Sequence, residues 1–299
     1  MNHFDQQSIQ DLEFDFLRHL LHDYCVQPTA MLRMAELVPL KDHDQLMIEL
    51  NRLNEFVKIR REAIPFPAMD FEELENEIKF LQIKDSVLNE ESFSRLHRAS
   101  SLSNEILKCF EGFELAFPEL QKLLDDVEST NEITQAVEKV FNAKWIVRDD
   151  ASPELMAIRS AIASVRRQIA KNFSKVLKEF QGKGYLGDTG EAFLNERRVL
   201  AIYSTHKRKI PGVVAGSSKT GSLTYIEPEI NIQLNFEVES LMDDERQEIR
   251  RILLQLTNSI RHRLPLIKEY QRLLTEFDFI QAKAKLAMEL VATLPEICE

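Results

Sequence analysis

Six basic residues lie between positions 195 and 225, and flexible cations of this kind suit contacts to phosphate groups. They are Arg197, Arg198, Lys207, Arg208, Lys209 and Lys219, and the only acidic residue in the same interval is Glu196. Lys and Arg on a projecting segment bind nucleic-acid phosphates, which contribute affinity without reading base sequence. The pattern predicts a nucleic-acid interface. The alternative is a basic patch that only keeps the surface soluble.

The rest of the chain carries the opposite charge. The 299 residues have a formal net charge of -11, and residues 1–150 hold 16 Lys and Arg against 30 Asp and Glu. Residues 151–299 hold 22 Lys and Arg against 19 Asp and Glu. The acidic first half should repel polyanions, so the interval 195–225 is where we expect nucleic acid to bind.

Motifs that could indicate other chemistry occur in a sequence context that does not fit them. Residues 182–187 (GKGYLG) match GxGxxG, but a helical pattern precedes them and strand-like residues follow, so we predict a flexible loop rather than a dinucleotide site. Residues 216–221 (GSSKTG) lack the GK[ST] order of a Walker loop and predict a hairpin turn. His19 and His22 have no third metal ligand at a suitable spacing. We therefore predict no metal site and no catalysis by this chain.

The cysteines and the hydropathy of the chain exclude further classes of protein. Cys25, Cys109 and Cys298 are too scattered for a disulfide framework or a zinc site, and we interpret them as reduced thiols. No uninterrupted apolar stretch of about 18 residues could span a membrane. The acidic start of the chain lacks the features of an export signal. A cytoplasmic location is the expectation that follows.

Helical patterns dominate the chain. Glycine is scarce, with 8 residues in 299, and seven of them lie between positions 182 and 221. Residues 1–152 predict a multi-helix core with an extended linker at 63–68 (AIPFPA). Ser152 and Pro153 are a typical N-cap and first helical residue, and the helix they start carries a narrow apolar row, as in coiled coils. A second long helix is predicted from near Leu234 to Pro265.

Between these two helices, β-branched and aromatic residues predict a small antiparallel sheet. Three strand-like runs (RRVLAIYST, KIPGVVAG and SLTYIEP) favour a three-stranded meander at about 192–228, with Lys207–Lys209 in a turn. The predicted fold is mainly α, with two long coiled-coil-like helices that carry the sheet at their tip. The predicted divisions are a helical core (1–152), the long helices with the sheet (153–264), and a helix that returns to the core (265–299).

Several segments resemble the MutS family of DNA repair and recombination ATPases. The most specific is 212–237, in which GVV, GSLTYIEPE and QLNFE stand in the order of the family's "G-I-V … S-G-x-T-L-F-I-E-P … E-L-N-N-E" pattern. Weaker similarities occur at 12–15 (LEFD), 149–155 (DDASPEL) and 277–284 (FDFIQAKA). They are closest to the branch that lacks the mismatch-reading domains.

The resemblance implies a function for the predicted sheet. It would be a clamp that grips the backbone of duplex or branched DNA, and the long helices would be levers that couple this grip to a C-terminal ATPase beyond Glu299. ATP and Mg would bind to that domain, and a homodimer would enclose the DNA. A ribosome- or RNA-associated motor and a non-catalytic coiled-coil adaptor stay open as alternatives. Mismatches, junctions and stalled ribosomes stay open as the natural target.

Overall fold

A computed structural model describes residues 11–113 and 115–297 of the chain. These residues divide into two compact units, each of which is described by itself. The helical unit comprises Met1–Ile146 and Leu253–Glu299, and the sheet unit comprises Val147–Ile252. The first ten residues and Cys298 lie outside the described residues. Cys25 and Cys109 are free thiols, and no described helix is long and apolar enough to cross a membrane.

Short and medium helices make up most of the helical unit. In chain order they are α1 (Phe14–Tyr24), α2 (Pro28–Ala35), α3 (His43–Arg61), α4 (Glu75–Gln82), α5 (Glu90–Cys109), α6 (Pro118–Gln121) and α7 (Glu132–Val140). The segment 64–74 between α3 and α4 has no regular structure, as its prolines predicted. After the sheet unit, α10 (Leu264–Glu289) completes the helical unit.

Helix α10 forms the centre of the helical unit, because apolar side chains cover most of its circumference. Tyr270, Leu273, Leu274 and Phe277 are fully buried. The Phe277 ring lies 5.8 Å from that of Phe110 and 6.3 Å from that of Phe56. A helix that is apolar nearly all round must be surrounded by other elements, and the aromatic contacts show that α3 and the residue after α5 supply part of this cover.

The sheet unit contains two long helices, α8 (Pro153–Gln181) and α9 (Glu229–Arg261), the last residues of α9 being in the helical unit. Ser152 caps α8, since its hydroxyl accepts a hydrogen bond from the backbone N–H of Leu155 at 3.0 Å. Side chains join the two helices at several levels. Arg159 donates to Glu245 at 2.7 Å, and Asn231 donates to the carbonyl oxygen of Ile169 at 3.3 Å. Residues late in α8 thus meet residues early in α9, so the two helices are antiparallel.

Four antiparallel strands lie between these helices in the chain. They are β1 (Leu186–Leu194), β2 (Arg197–Tyr203), β3 (Gly212–Ser217) and β4 (Leu223–Pro228), in the spatial order β1-β2-β4-β3. One face of the sheet packs on α8, where Leu200, Ile202 and Ile226 form a core with Phe173 and Phe180. At the start of β3, a side chain on Gly212 would overlap the carbonyl oxygen of Glu227, so the close approach of the two strands requires glycine there.

The structure confirms the mainly helical fold with a small antiparallel sheet, and it corrects three details. The sheet has four strands rather than three, because Leu186 and Gly187, which we predicted as loop, begin β1. It is not a meander, since β4 lies between β2 and β3. Lys207–Lys209 belong to a 3₁₀ helix (Ser204–Lys209) rather than to a simple turn. This helix carries the chain past β4 to the start of β3, a crossing that a tight turn cannot make.

A buried contact at the start of α8 predicts a pH dependence. Glu248 accepts hydrogen bonds from Arg251 at 2.6 and 2.7 Å and from the Ser152 hydroxyl at 2.6 Å. The Arg251 guanidinium, with help from Ser152, holds the pKa of the Glu248 carboxyl below its usual value of 4.5. A lowered carboxyl pKa stabilises the fold above the pKa of the unfolded chain, and this stabilisation is lost as the pH falls through the folded value.

We therefore expect Glu248→Gln to unfold at lower urea than the wild type at pH 7. The difference should shrink as the pH falls below about 4.5, the carboxyl's usual pKa. Urea titrations followed by circular dichroism at pH 7, 5 and 3.5 measure it. A difference that is constant across these pH values would contradict the assignment of the stabilisation to the carboxylate charge.

Candidate nucleic-acid interface

Two cation-bearing segments meet at one end of the sheet. The 3₁₀ helix that carries Lys207, Arg208 and Lys209 begins at Ser204, and Lys219 lies in the turn between β3 and β4. The backbone N–H of Ser204 donates to the carbonyl oxygen of Ser222 at 2.9 Å, and its hydroxyl donates to that of Gly221 at 2.6 Å. We call residues 204–209 and 218–222 the basic end. The two segments meet at Ser204, and from there the 3₁₀ helix leads towards Pro211 and the start of β3, which pairs with the other end of β4.

The four cations of the basic end are exposed. Lys207, Arg208, Lys209 and Lys219 all project into solvent, and none of them forms an ion pair with a described carboxylate. The Lys209 ammonium lies 5.0 Å from the centre of the Tyr185 ring. Because their charges are not neutralised within the protein, these side chains can take up an external anion.

A stack of aromatic rings packs against the 3₁₀ helix. The Tyr185 ring is stacked on His206 at 4.5 Å and on Phe180, from the last turn of α8, at 6.2 Å. Phe180 is buried and belongs to the core between α8 and the sheet. The stack therefore attaches the 3₁₀ helix to the core between α8 and the sheet, while the cationic side chains of this helix are exposed.

The turn between β3 and β4 adds hydroxyl groups that the sequence analysis did not select. Ser218 anchors the turn, since its hydroxyl accepts from the N–H of Leu223 at 3.0 Å. The hydroxyls of Thr220 and Ser222 lie 2.8 Å apart and are exposed. Hydroxyls and backbone N–H groups commonly bind phosphate oxygens beside Lys and Arg. The signal was the run of Ser and Thr around Lys219, which we interpreted only as a hairpin turn.

The two arginines among the predicted residues lie elsewhere and are paired. Both are at the start of β2, whereas the basic end follows the last residue of that strand. Arg197 donates to Glu227 at 2.8 Å and to Glu239 at 2.6 Å. Arg198 donates to Glu191 at 2.7 Å and lies 4.4 Å from the centre of the Phe173 ring. The structure thus leaves four of the six predicted cations exposed on the basic end and unpaired with any described carboxylate, and it pairs the other two, Arg197 and Arg198, with carboxylates.

The partners of Arg197 define its environment. Hydrogen bonds from its guanidinium to Glu239 and Glu227 raise the pKa of Arg197 above its usual range. Glu227 is nearly buried, and its second oxygen accepts from the Asn235 amide at 2.6 Å. The guanidinium also lies 5.1 Å from the centre of the Phe236 ring. Arg197 therefore joins β2, the end of β4 and the first turns of α9.

No GK[ST] sequence of a Walker loop occurs in the 299 residues. Over the part of the chain that the structure describes, no three His, Cys, Asp or Glu side chains are grouped to hold a metal ion. His19 instead contacts the carbonyl oxygen of Asp15 at 2.6 Å, and His22 contacts Asp23 at 3.3 Å.

Comparison with known proteins finds relatives whose similarity covers nearly the whole chain. No family model matches it. A protein of Levilactobacillus brevis named Endonuclease MutS2 is 27% identical over 300 residues, which is 99% of this chain. Proteins of the same name from Aquifex aeolicus and Carboxydothermus hydrogenoformans are 24% and 29% identical over 98% and 99% of it. In all three cases the chain spans only 38% of the length of the relative.

Proposed function

Because the chain belongs to the MutS family, we propose that its basic end grips the phosphate backbone of duplex or branched DNA. The observation that supports this proposal is the set of exposed cations on the 3₁₀ helix and the β3–β4 turn, which no described carboxylate neutralises. Contacts of this kind hold the backbone without reading the bases. Binding should therefore be independent of sequence and sensitive to salt.

The second part of the proposal concerns the role of the two long helices. Helices α8 and α9 would act as levers that transmit the state of the grip, since stiff paired helices move as one element. Their direct contacts, including the Arg159–Glu245 ion pair, support joint movement. The ATPase, with ATP and Mg, would belong to a part of the full-length protein outside this chain, as would any nuclease activity. Two copies would enclose one duplex, in the cytoplasm.

The test is to remove three cations of the basic end. With Lys207→Ala, Arg208→Ala and Lys209→Ala combined, affinity for a labelled 30-base-pair duplex should fall, because up to three phosphate contacts are lost. The slope of log affinity against log salt should become shallower by about 2.7. Fluorescence anisotropy at several salt concentrations measures both effects, with a four-way junction and an RNA duplex as further ligands.

The matched control removes three exposed lysines of the helical unit, Lys84, Lys144 and Lys268, by substitution to alanine. This variant has the same change in net charge and should bind like the wild type or slightly more weakly. Binding that responds neither to salt nor to the changes at the basic end would refute the proposed function. Tighter binding to the RNA duplex than to either DNA would favour the RNA-associated alternative.

A further inference from the structure

Helix α8 has an unusual charge distribution outside the basic end. From Leu155 to Lys178 it contains six basic residues and no acidic one. Two of them, Arg159 and Arg166, contact α9, through Glu245 and Met242 respectively. The other four recur every three or four residues, and we call them the α8 basic row: Arg167, Lys171, Lys175 and Lys178.

The row faces solvent. At 100° per residue its four members fall within about 80° of one another around the helix. They lie roughly opposite Phe173 and Phe180, which pack against the sheet. All four side chains are exposed. Within residues 11–113 and 115–297, none of them is paired with a carboxylate. Among the described residues, these four side chains form one hydrogen bond, from Arg167 to the carbonyl oxygen of Ala163 in its own helix.

An uncompensated row of this kind opposes folding. Like charges at i,i+4 and i,i+3 repel across the helix surface, each pair by a few tenths of a kcal/mol. Here the repulsion recurs along about 17 Å of helix, at 1.5 Å per residue. A bound polyanion with regularly spaced charges would remove the repulsion and release its own counterions.

The surface lacks what a protein partner would need. Among the described residues of α8, the exposed large apolar side chain is Met156, eleven positions before the row. Protein interfaces depend on buried apolar or aromatic anchors, whereas binding to a nucleic-acid backbone depends on flexible cations. The composition of the row therefore favours a phosphate backbone.

We propose that the α8 basic row is a second contact surface for double-stranded DNA. This inference rests on the proposed function, because the row continues from the basic end. It ends at Lys178, next to the last turn of α8, where Glu179, Lys183 and Lys209 line one open cavity of about 500 Å³. A duplex held at the basic end would extend along α8, and the row would grip the next part of its backbone.

The experiment compares two variants of the same charge. Lys171→Gln, Lys175→Gln and Lys178→Gln are combined in one, and Lys84→Gln, Lys144→Gln and Lys268→Gln in the other. Each is titrated with 30-base-pair DNA from 50 to 200 mM salt. Loss of three contacts lowers the salt slope by about 2.7. Between 50 and 200 mM salt, the affinity of the wild type should therefore fall by a factor about 40 times larger than the affinity of the row variant does. The control variant should follow the wild type.

The variant at the basic end, measured in parallel, separates the two proposals. If the row variant keeps the wild-type salt slope while the basic-end variant loses affinity, the proposed role of the row is refuted and the proposed function stands. If only the row variant loses affinity, the role of the row in DNA binding is supported and that of the basic end is refuted. The row variant should also melt no lower than the wild type, since it removes repulsion, and arginine at all three positions should retain binding. Loss of binding with arginine, or tighter binding to an RNA duplex, would overturn the assignment to DNA.

Discussion

Replacing Arg197 by methionine should destabilise the sheet unit by about 3 kcal/mol. The substitution leaves the Glu227 carboxylate, only 6% exposed, with Asn235 as its remaining partner. A buried charge without a counter-charge costs more than the pair itself contributes, because the carboxylate cannot regain its hydration. We expect faster hydrogen exchange at the amides of β2 and β4 and an earlier urea transition.

The second carboxylate partner of Arg197 supplies the control. Glu239 is 54% exposed, so Glu239→Gln should cost less than about 1 kcal/mol. Combining Arg197→Met with Glu227→Gln should restore much of the lost stability, since the unpaired charge is then gone. Equal losses from Arg197→Met and Glu239→Gln, or no recovery in the double variant, would show that the buried pair is not what stabilises this joint.

Replacing Asp278 by alanine should destabilise the helical unit by a similar amount. Asp278 in α10 is fully buried, and its carboxylate accepts from the backbone N–H of Val26 at 3.0 Å and of Gln27 at 2.9 Å. It thereby satisfies the N–H groups that precede α2, where a negative charge is favoured by the helix dipole. Burial raises the pKa of this carboxyl, and the two N–H donors oppose the rise.

Alanine leaves these N–H groups without an acceptor, and each buried unsatisfied group lowers the free energy of unfolding by about 1–3 kcal/mol. For a unit of this size, a total of about 3 kcal/mol lowers the melting temperature by roughly 6–12 °C. An asparagine side chain keeps one acceptor oxygen, so Asp278→Asn should fall between the wild type and Asp278→Ala. Glu269→Ala, on the exposed face of the same helix, should have almost no effect. Calorimetry that ranks the three variants otherwise would contradict this role of Asp278.

Local sequence signals predicted the elements of the sheet unit well. Ser152 and Pro153 begin α8 as expected. Pro265 lies in the first turn of α10, which starts at Leu264, soon after α9 ends at Arg261. The residues 216–221 do form a hairpin connection between β3 and β4. These features depend on neighbours within a few residues, namely caps, prolines and periodicity, so the sequence contains them directly.

The predictions failed where pairing between distant residues decides the structure. Strand β1 contains Gly187 and Gly190, which weaken any strand signal, and it is held by its register with β2. Position 229, where α9 begins, precedes the predicted start near Leu234, because the helix follows directly on β4. The strand order could not be predicted from three strand-like runs, since several arrangements bury the same apolar residues.

The sequence by itself determined that this protein is mainly helical, that its glycines and cations are concentrated in one segment, and that this segment resembles the MutS family. Only the tertiary structure decided which cations are available. Arg197 and Arg198 are neutralised by Glu227, Glu239 and Glu191, whereas Lys207, Arg208, Lys209 and Lys219 are exposed on the 3₁₀ helix and the β3–β4 turn without a carboxylate partner among the described residues. The physical reason is that charge is a property of each residue, whereas its neutralisation depends on residues that the fold brings within about 3 Å of it.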